Sequence, residues 1–312
     1  MNISKNNLNN IILTLIVLLF IITIINKINI YMGKPLEVNT YKEGFTNRNN
    51  VREVITQIYD NFYSKIYNKL FYSDFRVGFE VKMIHDMFLT KYKEEIKILD
   101  LGCGTGSHIE GLRKLKYTVD GMEISENMRT ISRNLNIGSV IKLGNFEERK
   151  NFKLREYSHV TAFFFTIYYA RNIDNVFKNV NYTLKSGGMF FVHLINKKKF
   201  DPILEKATNL VPLYDPQKYT KERKTHTKLN FSGLVYESDW DFKNGIDVKF
   251  KEVFKFDSGD IKQNIHNLNM VSLKKIVKIS NNNGFKLIKI IDLFPANHPN
   301  NYIYCFKKIY GS

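Results

Sequence analysis

Cysteine is almost absent: Cys103 and Cys305 are the only two in 312 residues, and they lie far apart. Two residues so placed build neither a disulfide framework nor, by spacing, a metal site. Their scarcity favours a reducing compartment. Acidic residues are few beside basic ones, 30 against 47, which leaves a net charge of +17. Such a balance points to an anionic partner: nucleic acid, an acidic surface or an anionic lipid. A dedicated nucleic-acid groove is possible but not favoured, because the lysines are scattered and the longest basic run is Lys197–Lys199. Lys, Asn, Ile, Tyr and Phe are abundant together, as an AT-rich coding sequence produces. Internal repeats are also absent. What is plentiful is core material, with 44% hydrophobic residues, so the chain can fold as one large domain or two modest ones.

Residues 11–25, IILTLIVLLFIITII, carry no charge. A run apolar on every face does not suit a surface helix. It spans about 22 Å at 1.5 Å per residue, and the flanking Ile28, Ile30, Tyr31 and Met32 extend it, with Lys27 able to snorkel. No small-residue cleavage pattern follows. The expectation is a single-pass membrane anchor over residues 1–33 and a polar linker over 34–50, with the catalytic domain on the cytosolic side.

The segment 51–92 is helical in pattern and rich in aromatics. Strands and helices then alternate. Apolar runs at 96–101, 117–123, 139–143, 158–165 and 188–195 read as buried strands. Helical stretches fall at about 106–115, at 126–135 with Ser125 as cap and Glu126 in the first turn, and at 173–184 before KSGG. That rhythm argues for a parallel sheet covered on both faces. Residues 201–265 change to period two, with a hairpin turn at Asn244–Gly245, and read as a β-rich insertion. A helix at about 270–283 and strands at 286–293 and 301–309 follow, so the core is expected over 51–200 and 266–312.

Within IKILDLGCGTGSHIEGL, residues 96–112, Gly102, Gly104 and Gly106 lie at alternate positions between a strand and a helix. Glycine at that density lets a ligand approach the backbone at a helix amino terminus. The third glycine arrives one residue early for a dehydrogenase fingerprint, and no Gly-Lys-Ser/Thr follows for a Walker loop. The next strand ends at Glu123, which can accept hydrogen bonds from a ribose diol. The third ends at Asn145 and Phe146, suited to an adenine edge and face. Three neighbouring strand ends thus line one nucleoside.

LDLGCGTG, VDGMEISENM, LGNFEE, FFFTIYYA and LKSGGMFFVHL together resemble the successive motifs of the class I S-adenosylmethionine-dependent methyltransferases. The resemblance implies a seven-stranded, mostly parallel Rossmann-like sheet with a final antiparallel strand, and S-adenosyl-L-methionine as cofactor. It also implies that Gly102, Gly104 and Gly106, with Cys103 between them, pass the methionine part of the cofactor. Asp100 would brace the loop, Glu123 would hold the ribose and Ile124 would pack on the adenine. Asn145 stands where many relatives carry Asp. Phe163, Phe164 and Phe165 would lie near the sulfonium. A helix of the kind that carries Tyr59 and Tyr63 caps the cofactor in relatives, and Arg76 is a candidate for its carboxylate.

A sulfonium is already an activated methyl donor, so catalysis rests on alignment and exclusion of water, and the family has no fixed catalytic residue. His193, Tyr168 and Tyr169 are candidates for a base or an acceptor contact, and Tyr236 and Trp240 of the insertion are natural acceptor contacts. No Asn-Pro-Pro-Tyr-like tetrapeptide follows the fourth strand and no Pro-Cys occurs, which counts against DNA methylases of the amino and ring-carbon types. The acceptor stays open among a small molecule, a lipid-like compound, a protein and RNA. A non-catalytic, tethered binding platform of the same fold is the alternative.

Overall fold

The computed structural model describes residues 13–23, 36–37, 49–91, 95–134, 140–208, 217 and 220–309. A helix over 13–23 (α1) comes first, followed by the short strands β1 (Leu36–Glu37) and β2 (Asn49–Arg52). Helices α2 (Ile55–Ile58), α3 (Asn61–Phe71) and α4 (Asp74–Met87) follow. Short polar side chains start the last two. Asp60 accepts from the Tyr63 amide at 2.8 Å and Ser73 from the Arg76 amide at 3.4 Å, each satisfying an orphan donor of a first turn.

The expected membrane anchor does not hold. Among the described residues no helix is long and apolar enough to cross a membrane. The described helical residues, 13–23, account for roughly 17 Å at the α-helical rise, about half of a bilayer core. The transmembrane segment, the membrane partner and the assignment to a membrane with a cytosolic catalytic domain are withdrawn with it.

The chain then alternates as β3 (Lys97–Leu101), α5 (Ser107–Lys114), β4 (Thr118–Glu123), α6 (Glu126–Asn134), β5 (Ile141–Leu143), β6 (Tyr157–Ala162), α7 (Ile173–Thr183) and β7 (Leu184–Ile195). After α8 (Glu205–Thr208) come the four long strands β8 (Thr227–Ser232), β9 (Leu234–Asn244), β10 (Asp247–Phe256) and β11 (Ile261–Asn269). Helix α9 (Leu273–Asn282) and strands β12 (Phe285–Asp292) and β13 (Asn301–Lys308) close the chain.

Two sheets result. The first has seven strands in the order β12-β13-β7-β6-β3-β4-β5. Strands β3 to β7 run parallel, and β13 lies antiparallel between β7 and β12. All six residues of β6 are buried, as are the last four of β3, which is the burial on both sides that a sheet covered on both faces requires. One layer of core, around Val160, Phe177, Phe190 and Phe306, packs under α7 and α9; the other, around Ile98, Ile109, Val119 and Phe191, packs under α4 and α5.

The second sheet has six strands in the order β1-β8-β9-β10-β11-β2. Its central hairpin turns at Gly245, whose φ of +62° suits glycine. Leu36–Glu37 and Asn49–Arg52, within and beside the stretch read as a linker, pair in parallel with its two edges. Helix α3 packs Phe62, Tyr63, Ile66 and Leu70 against Phe231, Leu234, Tyr236 and Phe254 of this sheet. Val248, Phe250 and Leu268 of the same sheet join the core of the first. The space between the sheets, bounded by α3 and by the carboxyl ends of the parallel strands, is where the site lies.

Candidate active site

The glycine loop is built from backbone conformation first. Gly102, Gly104 and Gly106 all have positive φ, at +56°, +57° and +83°, a region that side-chain-bearing residues rarely occupy. The three differ in surroundings. A Cβ on Gly102 would stand 2.6 Å from the Thr166 methyl, whereas one on Gly104 would make ordinary contact with Met128. Gly121 supports the loop from below: a Cβ there would come within 2.7 Å of both Cys103 Sγ and Ile109. That glycine, unremarked in the sequence, lets the loop and α5 settle onto β4.

Glu123, at the end of β4, closes the loop. Its Oε2 accepts from the Gly104 amide at 2.9 Å, and Oε1 accepts from the Ile124 and Ser125 amides at 2.8 and 2.9 Å. A carboxylate has about four acceptor positions, so one remains for a ligand hydroxyl in this arrangement. Burial raises the carboxyl pKa, and the three backbone bonds work against that rise. Ser125 caps α6 by accepting from Met128 N at 3.2 Å and donates to the Tyr59 carbonyl at 2.8 Å, which ties the aromatic segment to the strand ends.

Asn145 and Phe146 follow β5 and line the same cavity as Ile124. Asn145 Oδ1 accepts from Glu147 N at 2.9 Å, forming a local turn, so the carboxamide is held facing the cleft with its NH2 group and one lone pair still available. Asp100 is buried; its Oδ1 accepts from the Thr161 hydroxyl at 2.6 Å, which joins β3 to β6. Burial pushes its carboxyl up to about 6. Cys103 is buried beneath the loop, its thiol pushed up by burial. It lines a small cavity of about 60 Å³ together with Asp100, His108 and Phe163.

The aromatic run after β6 divides in three. Phe163 points down and stacks on His108 at 4.1 Å. His108 Nε2 meets the buried Glu80 carboxylate at 2.6 Å. Phe164 and Phe165, at φ +38° and +60°, turn into the cleft, a left-handed backbone that is costly for bulky residues and is typical of functional sites. Phe164 carries the Arg76 guanidinium over its ring at 4.1 Å. Arg76 is buried, donates from one terminal nitrogen to the Phe71 carbonyl at 3.0 Å, and has no hydrogen-bond partner at Nε. A buried guanidinium nitrogen without a partner, at the mouth of a glycine loop, fits a ligand carboxylate.

The sequence candidates for chemistry separate. His193 lies outside the main cavity: Nδ1 accepts from Phe165 N at 3.4 Å and Nε2 meets Asn301 Oδ1 at 3.0 Å. Burial pushes its imidazole down to about 4, so it is neutral and fully engaged. Tyr168 points into the core and accepts from Ile195 N at 2.9 Å. Tyr169, its neighbour, points the other way and lines the cavity. Tyr236 is buried within the second sheet, while Trp240 lines the cavity with its indole nitrogen buried and without a partner.

The cavity, about 490 Å³, joins the strand-end cleft to a chamber walled by Phe165, Phe200, Trp240, Phe250 and Leu268. On its α3 side stands a polar chain that sequence reading missed. The Tyr59 hydroxyl donates to Tyr169 at 3.1 Å, the Tyr169 hydroxyl meets His266 Nδ1 at 2.7 Å, and His266 Nε2 meets Glu252 Oε2 at 2.7 Å. Glu252 on β10 and His266 on β11 are diagonal neighbours, both buried, and Glu252 also accepts from Tyr236 at 2.9 Å and from its register partner Asn264 at 3.3 Å. Alternation along both strands was the one available signal, since it sets Glu252 among the inward Val248, Phe250 and Phe254 of β10 and His266 among the inward Lys262, Asn264 and Leu268 of β11.

A family profile described as a methyltransferase domain matches residues 80–290. The chain belongs to the methyltransferase-domain family. Its cofactor is S-adenosyl-L-methionine. The dTDP-4-amino-2,3,4,6-tetradeoxy-D-glucose N,N-dimethyltransferase of Saccharopolyspora spinosa is 33% identical over 104 residues, 32% of this chain and 41% of that relative. The match therefore spans about two-fifths of the relative's length. The CcbJ methyltransferase of Streptomyces caelestis superposes with a TM-score of 0.59 at 18% identity, over 80% of this chain and 98% of that one. CalS10, an amino pentose methyltransferase of Micromonospora echinaspora solved with the cofactor bound, gives 0.53 at 15% identity over 74% and 91%. At these identities the superpositions speak for the fold of this methyltransferase domain.

Proposed function

We propose that this methyltransferase acts on an amino group of a small, sugar-like acceptor. The single observation that carries the reading is the cavity itself, in which the strand-end cleft opens directly into the aromatic chamber. One compartment suits an adenosyl group and the adjoining one a compact acceptor. The Saccharopolyspora relative, named for an amino-sugar substrate, supports the amine class.

When bound, the cofactor supplies an activated methyl group on a sulfonium. In this reading Gly102 and Gly104 let the ligand approach the loop. Glu123 offers its remaining acceptor position to a ribose hydroxyl, Asn145 and Phe146 flank the base, and Arg76 pairs its free Nε with a carboxylate. Phe164 and Phe165 separate the two compartments, and the rings of Phe200, Trp240 and Phe250 exclude water from the acceptor side. Holding a nucleophile in line within a dry chamber is worth roughly 7–11 kcal/mol of barrier in well-oriented cases.

The test is methyl transfer from labelled cofactor to dTDP-4-amino-2,3,4,6-tetradeoxy-D-glucose and to a panel of free amino sugars. Label appearing on the amine nitrogen, resolved by mass spectrometry of the product, is the expected result. Label confined to hydroxyl acceptors, or no transfer to any amine, overturns the acceptor class.

A further inference from the structure

We propose that Tyr59, Tyr169, His266 and Glu252 form a proton relay that deprotonates the acceptor amine, with Tyr59 as the entry point. The inference rests on the amine reading above and adds the group that makes the amine nucleophilic.

An amine bound near neutral pH arrives largely as an ammonium ion, with no lone pair to offer, so an N-methyltransferase gains from a proton acceptor in its acceptor chamber. The described lining carries the carboxylates Glu123, Glu147, Asp201 and Glu205, each already engaged: Glu123 by three amides, Glu147 by Asn172 N, Asp201 by Ile203 N and Gln217, and Glu205 by His298 and Ser73. His193 lies outside the cavity with both ring nitrogens engaged. His298 lines the far end and pairs with Glu205 at 3.4 Å. His266 lines the chamber and has its ring wired in one sense. A carboxylate can only accept, so the nitrogen facing Glu252, Nε2, carries the hydrogen. Nδ1 is then the bare nitrogen, and the Tyr169 hydroxyl donates to it. Tyr59 in turn donates to Tyr169, which leaves the Tyr59 oxygen lone pairs as the outer end of the chain.

The step balances as follows. An ammonium N–H bond breaks and its electron pair stays on the nitrogen, giving the neutral nucleophile. The proton joins the Tyr59 oxygen as the Tyr59 proton passes to Tyr169 and the Tyr169 proton passes to His266 Nδ1. Both tyrosines end as neutral phenols, and the one new charge is an imidazolium held against the Glu252 carboxylate. Burial keeps the tyrosines protonated, which suits them to passing protons rather than holding a negative charge. Glu252 touches no substrate; it is a positioning residue that fixes the His266 tautomer and stabilises the imidazolium. Its remaining bonds, from Tyr236 and Asn264, hold it in place.

The experiment compares Glu252→Gln, Tyr169→Phe and Tyr59→Phe with the wild type in the full chain. The amino-sugar panel serves as acceptor, calorimetry gives cofactor affinity, and 15N NMR of the histidine side chains reports the ring of His266. The relay predicts a kcat lower by roughly 100-fold in Tyr169→Phe, of the size removal of a general base produces. Acceptor KM and cofactor affinity should stay near wild type. It also predicts a wild-type His266 protonated at Nε2 and a mixture of tautomers in Glu252→Gln. Unchanged kcat in Tyr169→Phe or Tyr59→Phe overturns the relay, as does a wild-type His266 protonated at Nδ1. Should the wild type methylate only hydroxyl acceptors, the amine reading fails by itself, and the same variants decide the relay on those acceptors. Should no acceptor turn over, the NMR result alone decides whether the chain is wired as described.

Discussion

The two walls of the cavity are built in opposite ways. The wall proposed for the cofactor is made of strand-end loops bonded mostly to their own neighbours: Glu123 bonds amides 124 and 125 and reaches the adjoining glycine loop at 104, Asn145 bonds 147, and Ser125 caps 128. The acceptor wall is made of pairs remote in sequence: Tyr59 with Tyr169, Tyr169 with His266, and Phe165 with Trp240. In the proposed reading, the cofactor is served by loops built largely from local sequence, and the acceptor by a second sheet packed against that frame.

If that division holds, damage beneath the cofactor wall should cost the most. Glu80→Ala leaves His108 buried without its partner, below Phe163 and the loop, and should destabilise the fold by roughly 3 kcal/mol in chemical denaturation. Burial favours protonation of Glu80, yet the bond and charge of His108 outweigh it and hold the carboxyl at about 2. Because the folded pKa is depressed, this contribution is present above the ordinary value of 4.5 and fades as pH falls toward 2. The variant should therefore lose less stability than the wild type across that window.

Within the loop, Gly102→Ala and Gly104→Ala share the same positive φ but differ in crowding. Both should pay backbone strain of roughly 1–2 kcal/mol. Gly102→Ala should weaken cofactor binding further because Thr166 must move. Equal affinities in calorimetry would show that approach of Thr166 is irrelevant. Glu123→Ala strips three amides of their acceptor and should weaken cofactor binding by roughly 1–3 kcal/mol, with little change in acceptor KM. The smallest effect on the cofactor belongs to Trp240→Ala. That variant should raise acceptor KM several-fold, consistent with loss of roughly 1 kcal/mol of ring contact, while cofactor affinity is unchanged. A fall in cofactor affinity there would mean that the walls are not separate.

The placing of the glycine loop, Glu123 and the Ser125 cap along one cleft could be read from sequence because each piece is a motif within a few residues: glycines after a strand, an acid at the next strand end, a cap after it. The parallel sheet followed from the alternation of buried runs and helical stretches, and its count of seven strands from the family resemblance. The membrane anchor was misread for a related reason. Residues 11–25 fit on composition, but spanning also demands helix length, and among the described residues no helix is long and apolar enough to cross a membrane. His193 and Tyr168 show the limit from another side: both sit at strand ends where a site residue belongs, yet their side chains turn into packed interior. A difference of one position decides whether Tyr168 or Tyr169 meets the cavity, and alternation along a short turn does not fix that.

Local chain chemistry, then, determined the parallel sheet, the glycine loop and the strand-end carboxylate, since dihedral preferences and burial periodicity act over a handful of residues. Tertiary structure alone decided that Glu252 and His266 share a buried face, that the turn between α2 and α3 brings Tyr59 to Tyr169, and that the second sheet roofs the cleft. Those contacts depend on how two sheets and a helix pack, a cooperative result of the whole core that no single stretch of sequence encodes.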